Sequence, residues 1–224
     1  MFERTIMLIG ENNLNNIQKK KVSIIGLGGV GGSAFLALVR SGFTNITIVD
    51  HDTFDKSNLN RQVLSSINKI DKSKAITAKE IALSINENIT INEYNTYLDK
   101  DNINILKDSD YIIDACDSID TKLEIIKYAK ENNIKLISSM GMGNRLDPTK
   151  LVITKLSKTT NDPLAKKIRR LCKEKNIKND IHVVSSTELP MKSKIITSMY
   201  PVPNTAGILL ASHIINDTIK NCES

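Results

Sequence analysis

Three short segments of the 224-residue chain carry the residues able to do chemistry. An apolar run, Val22-Ser-Ile-Ile-Gly-Leu, breaks into glycines at Gly26, Gly28, Gly29 and Gly31. Such glycines allow a tight turn and a close approach of backbone N–H groups to phosphate, at the positive end of a helix dipole. Asp50 follows about twenty residues on, where a carboxylate at a strand end reads a ribose hydroxyl. Those two features fit any dinucleotide-binding fold. The third segment, Asn58-Leu-Asn-Arg-Gln62, is different. Asn58 and Arg61 can hold phosphate oxygens in a fixed geometry without giving up a proton. Hydride transfer does not need a guanidinium beside the phosphate cradle, whereas chemistry at a triphosphate does. Asp52 has two readings, holding Mg²⁺ or capping the next turn.

Elements of alternating type must position these groups. Residues 1–20 read as one or two short helices, Val22–Gly26 as a buried strand and Val30–Ser41 as its helix. Ile46–Asp50 is a second strand. Lys74–Asn86 is a helix with Ala75, Ala78, Ile81, Ala82 and Ile85 at helical spacing. Thr90–Tyr94 and Tyr111–Ala115 are strands, Ser118–Asn132 a helix, and Leu136–Met140 a strand. The succession predicts a Rossmann-like α/β fold: a mostly parallel sheet, helices on both faces, and ligands at the carboxyl ends of the strands. After Gly143 the pattern changes. Leu151–Leu156 alternates, Asp162–Lys175 is a basic amphipathic helix, Ile181–Ser185 is a strand, and Asn204–Lys220 is a closing helix. These predict an antiparallel C-terminal extension, with Ser186–Met199 a mobile loop around Pro190. Without repeats or linkers, the expectation is one domain over residues 1–224. Its nucleotide-binding core is 1–150 and its substrate-facing extension 151–224.

Composition narrows the partners. A hydrophobic content of 40% suits a globular protein. No apolar run reaches the ~20 residues needed to cross a bilayer. The charged start Met1-Phe2-Glu3-Arg4 is not a secretory signal. The expected location is the cytoplasm, away from membranes. Cys116, Cys172 and Cys222 are odd in number and unpaired in spacing, as in a reduced protein. There is no Cys-x-x-Cys pair for zinc, and no Cys lies beside the His and acid of a thioester nucleophile. His51, His182 and His213 read as structural or surface residues. The net charge of +6 is compatible with a polyanionic partner.

The set Gly26 to Gly31, Asp50, Asp52, Asn58, Arg61, Gln62, Lys74 and Asp117 resembles the superfamily related to ubiquitin-activating enzyme, whose members adenylate carboxylates. Within it, Phe2-Glu-Arg-Thr5 with Leu8-Ile-Gly10, Ser138-Ser-Met-Gly-Met-Gly-Asn-Arg-Leu-Asp-Pro148 and Asp162-Pro-Leu-Ala165 are similar to the tRNA threonylcarbamoyladenosine dehydratases. The likeness runs from the N-terminus to about Lys175 and is loose beyond it.

The resemblance implies bound ATP and Mg²⁺. It implies roles at the triphosphate for Lys74, which opens a helix, and for Asp117 of Asp114-Ala-Cys-Asp117, which supports Mg²⁺ and the reacting phosphate. Asp114 either shares that task or satisfies backbone groups at the strand end. Arg4 matches an N-terminal arginine that reaches the partner subunit's triphosphate, which implies a homodimer. The implied reaction is adenylation of the threonyl carboxylate of threonylcarbamoyladenosine beside the anticodon, then cyclising dehydration. Lys166, Lys167, Arg169 and Arg170 on the basic helix are either a solvated face or contacts to tRNA phosphates. The physics is neutral and the resemblance favours RNA. Two other readings stand beside this one: an adenylating activator of a ubiquitin-like sulfur carrier, and a non-catalytic nucleotide-binding protein. A sulfur-transfer partner protein is left open.

Overall fold

The computed structural model describes residues 1–220. Two short helices, α1 (Glu3–Ile9) and α2 (Glu11–Lys19), precede β1 (Lys21–Ile25), α3 (Gly29–Ser41) and β2 (Asn45–Val49). Then come α4 (Lys74–Ile85), β3 (Thr90–Tyr94), β4 (Tyr111–Asp114), α5 (Ile119–Glu131) and β5 (Lys135–Ser139). The chain continues through β6 (Leu151–Lys155), α6 (Pro163–Glu174), β7 (His182–Ser186) and α7 (Pro201–Lys220). The seven strands form one sheet in the order β3-β2-β1-β4-β5-β7-β6.

The order reverses between β1 and β4, which pair in parallel with Val22 opposite Tyr111 and Ile25 opposite Asp114. β2 and β3 run to one side and β5 to the other, so the loops after β1 and β4 diverge and leave a crevice at their carboxyl ends. β1 and β4 are buried on both faces and correspondingly apolar. One face packs β-branched strand residues against Phe35, Leu38 and Val39 of α3, Ala75 and Ala78 of α4, and Ala206 and Leu210 of α7. Leu123 and Ile126 of α5 and Ile168 and Cys172 of α6 cover part of the other.

The C-terminal extension is antiparallel in one pair only, β6 on β7, with Ile153 opposite Val184. β7 itself runs parallel to β5, because α6 carries the chain back to the starting end. β1, β2, β4, β5 and β6 each stop one residue short of the sequence expectation. After β1 and β2, Gly26 and Asp50 still donate their N–H groups to Val49 O and Tyr94 O as the chain turns into the crevice. α7 starts three residues early, at Pro201, whose missing N–H costs nothing in a first turn. No helix or strand lies between Ser186 and Pro201. Among the described residues no helix is long and apolar enough to cross a membrane.

Candidate active site

The glycine turn is shaped by close backbone approach. Gly26 has φ +87°, and a Cβ there would sit 2.8 Å from the Ala115 carbonyl oxygen at the end of β4. A Cβ on Gly31 would sit 1.8 Å from the Gly26 carbonyl oxygen, so α3 can start against the turn only with glycine there. Gly28 and Gly29 then present the start of α3 to the crevice. The crevice holds a cavity of about 370 Å³ lined by Gly26, Gly28, Gly29, Asp50, Asp52, Asn58, Arg61, Lys74 and Asp117. A pocket of similar size lies elsewhere, around Lys135 and His213, and contains none of these residues.

Asp50 is nearly buried. One carboxylate oxygen accepts the Leu27 N–H at 2.5 Å and the other the Asp52 N–H at 2.9 Å. The acid thus ties the end of β2 to the glycine turn. Asp52 does not cap a turn. Its Oδ2 accepts from Lys74 Nζ at 2.8 Å, and Oδ1 faces His51 Nε2 at 3.2 Å. Partial burial opposes ionisation of Asp52, but the hydrogen bond and charge of Lys74, with His51 adding to them, outweigh it. The carboxyl is held below the ordinary value of 3.8. Lys74 opens α4, whose first turn is capped by the Ser73 hydroxyl accepting from Ile76 N–H. Although lysines are rarely buried, Lys74 is 5% exposed, with its ammonium held against Asp52 inside the cavity.

The Asn58–Gln62 segment is self-braced. Asn58 Oδ1 accepts the Asp55 N–H at 3.1 Å, and the residue lines the cavity. Arg61 donates to Ser57 O and Asn60 Oδ1, both at 2.9 Å. Its own carbonyl accepts from Asn204 Nδ2 of α7 at 2.8 Å. Gln62 lines the same cavity and is 6% exposed, and its Oε1 has no hydrogen-bond partner. A buried, unpaired amide oxygen in a cleft rich in cations and N–H groups fits a polar ligand that supplies a donor. Residue type and spacing alone assign Gln62 no role.

Asp114 and Asp117 part company. Asp117 is exposed at the cavity rim. Asp114 is fully buried beneath it, pairing with Lys122 Nζ at 2.9 Å and accepting from the Ser138 hydroxyl and from Cys116 Sγ. Of its two readings the local structural one holds, with side chains as well as backbone as its partners. Burial, then the Asp114 charge, push the Cys116 thiol well above its ordinary value of 9.0, so this cavity-lining cysteine is a poor nucleophile. Cys172 is buried in the α5–α6 core, and Cys222 lies outside the described residues.

Arg4 and Arg169 do not line the cavity. Arg4 is exposed on α1 and does not line the cavity of its own chain. Arg169 is half-buried, and its guanidinium donates to Leu156 O at 3.1 Å and to both Thr159 O and Oγ1. It fastens α6 to the end of β6 and is not a free phosphate contact. Lys166, Lys167 and Arg170 are exposed, and Arg170 pairs with Glu174. The motif residues after β5 also have a local task. Asp162 caps α6 through the Ala165 N–H and accepts from Gly141 N–H and the Ser185 hydroxyl. Buried Arg145 donates to the carbonyls of Gly141, Ser186, Glu188 and Asn161.

Comparison with known proteins places this geometry. The chain is 32% identical to the tRNA threonylcarbamoyladenosine dehydratase of Bacillus subtilis, across 99% of this chain and 96% of that protein. It is 34% identical to dehydratase 2 of Saccharomyces cerevisiae across 90% of this chain, which spans 46% of that longer protein. The crystal structure of the Escherichia coli tRNA N6-threonylcarbamoyladenosine dehydratase in complex with ATP superposes with a TM-score of 0.94. That match has 30% identity and covers 99% of this chain and 95% of that one. The ThiF family model matches residues 2–222. With its glycine turn, Asp50 and the Asn58–Arg61 segment at the sheet's switch point, the chain belongs to the ThiF family.

Proposed function

We propose that the chain is an ATP-dependent, cytoplasmic tRNA-modifying enzyme, a tRNA threonylcarbamoyladenosine dehydratase. One observation carries the reading: a single cavity gathers the glycine turn, Asp50, Asn58, Arg61, Lys74 and Asp117. The chain around it is similar from end to end to a dehydratase solved with ATP. Asp50 takes the ribose, and the N-terminus of α3 takes phosphate. Gln62 Oε1, unpaired and buried, gains a donor from the bound ligand.

The threonyl carboxylate attacks the α-phosphorus, an acyl-adenylate forms, and pyrophosphate leaves. Arg61, Lys74 and the Asn58 amide stabilise the charge that develops on the phosphate oxygens. Asp117 and Asp52, which line the same cavity, would hold Mg²⁺, which would neutralise charge on the phosphates when bound. The carbamoyl group then attacks the acyl carbon, the bond to the AMP oxygen breaks and a proton is lost. Ring closure is intramolecular and needs no protein nucleophile, in keeping with a Cys116 thiol held protonated.

The exposed cations Lys166, Lys167 and Arg170 are the tRNA side of the proposal, and Arg4 acting on the other subunit's triphosphate is its homodimer side. Residues 1–150 serve as the nucleotide-binding core of one adenylating domain, and 151–224 face the substrate. ATP–pyrophosphate exchange measured with bulk tRNA, with a sulfur-carrier protein, or with neither tests the reading. Stimulation by tRNA supports it, and stimulation by the carrier alone replaces it.

A further inference from the structure

Asn144 lies in the segment Ser138–Pro148, and nothing above gives it a task. It has φ +58°, a left-handed conformation that asparagine tolerates better than most residues. Both its backbone and its side chain grip one stretch of the β7–α7 connection. Its N–H donates to Thr197 O at 2.7 Å, and its carbonyl accepts the Met191 N–H at 2.8 Å. Its Oδ1 accepts both the Thr197 N–H and the Thr197 hydroxyl, each at 2.8 Å. The two ends of Met191–Thr197 therefore close on a single residue.

Ile196 of that stretch and Ser198 just after it form one wall of the nucleotide cavity, with Met142 and Gly143 also lining it. Ile196 is 84% exposed, so core packing does not hold it there. A Cβ on Gly143 would lie 2.5 Å from Ile196 Cγ2, so a larger residue there would push this exposed side chain aside. At its far end Ser198 O accepts from Asn60 Nδ2 at 2.9 Å, next to Arg61. The connection thus bridges from Asn144 to the Arg61 segment, with an apolar side chain along the cavity.

We infer that Asn144 is a positioning residue that fixes this wall and so keeps water from the acyl-adenylate while the ring closes. The inference rests on the function proposed above. An acyl-adenylate has two fates. Attack by the carbamoyl group forms the ring bond, breaks the bond to the AMP oxygen and releases a proton. Attack by water breaks the same bond but returns the linear carboxylate with AMP. Which one wins depends on water exclusion at that carbon.

The test is the number of AMP molecules formed per ring closed, measured on tRNA carrying the linear nucleoside. Asn144→Gly keeps the backbone conformation and removes the Oδ1 acceptor. It should raise that ratio at least about fivefold while ATP affinity stays within about twofold. Thr197→Val, which removes only one donor, should raise the ratio less. Asn144→Asp keeps the acceptor and should stay near wild type. Amide exchange at Met191 and Thr197 should quicken in the Gly variant. A Gly variant as tightly coupled as wild type, or an Asp variant as uncoupled as Gly, overturns the inference and leaves the proposed function standing. Wild-type protein that closes no ring at all removes both.

Discussion

The Asp50 carboxylate accepts the Leu27 N–H at 2.5 Å, so the acid at the end of β2 also builds the glycine turn after β1. With Asp50 proposed to take the ribose, nucleotide binding and local stability would be coupled through this one side chain. Asp50→Ala should lose ATP binding and also leave the Leu27 N–H buried without an acceptor, a cost of about 1–3 kcal/mol. The expected fall in melting temperature is roughly 2–10 °C. Asp50→Asn keeps one acceptor oxygen and should fall less. Calorimetry with Mg·ATP and thermal melts check both; an Ala variant that melts like wild type would show that the turn stands without the acid.

Lys74 and Asp52 make a pH prediction. Asp52 is held below its ordinary 3.8, despite the opposing effect of burial, mainly by Lys74. A depressed carboxyl contributes stability above the unfolded value and loses it as the pH falls through the folded one. That contribution therefore fades below about pH 4, and it is small because Asp52 is half exposed. Lys74→Met removes the counter-charge, so Asp52 should titrate at higher pH by carboxyl NMR. ATP affinity should fall by roughly 10–100-fold, as expected for losing a charge-assisted contact. An unmoved Asp52 titration would mean that Lys74 does not set it.

Arg4 belongs to the cavity only if a second subunit brings it there. Arg4→Ala mixed with Asp117→Ala should form hybrid dimers with partial activity, since one of the two sites then has both residues. Isolated heterodimers that stay inactive would take Arg4 out of the partner's site.

The basic helix separates into two classes of cation. Lys166→Ala with Lys167→Ala and Arg170→Ala should weaken tRNA binding and make its salt dependence shallower, because fewer counterions are released. ATP affinity should be unchanged. Arg169→Ala should instead lower stability by about 1–3 kcal/mol, by orphaning the acceptors at Leu156 and Thr159. Filter binding across a salt series and melting curves read the two. A triple variant with wild-type tRNA affinity would return this face to solvent.

The sequence made the nucleotide half legible because its signals are local. Gly26, Gly31 and Asp50 declare a strand, turn and strand end through residue type and spacing alone. Long-range partners were not legible in the same way. Nothing local says that β7 joins β5 in parallel, that Arg169 is spent on the carbonyls after β6, or that Asp114 meets Lys122 and Ser138 beneath the cavity. Arg145 and Asp162 stood out as motif residues, but their partners, spread from Gly141 to Glu188, come together only in the fold. Gln62 illustrates the remaining gap. Its motif was visible, whereas its unpaired, buried oxygen is a property of packing.

The central claim is tested most directly on the nucleoside itself. Purified protein is incubated with ATP, Mg²⁺ and tRNA carrying linear threonylcarbamoyladenosine, the tRNA is digested, and the nucleosides are analysed by mass spectrometry. The account predicts that the modified adenosine loses the mass of one water, with AMP and pyrophosphate formed in equal amounts and no product without ATP. An unchanged nucleoside, with adenylate forming instead on the C-terminus of a sulfur-carrier protein, would contradict it.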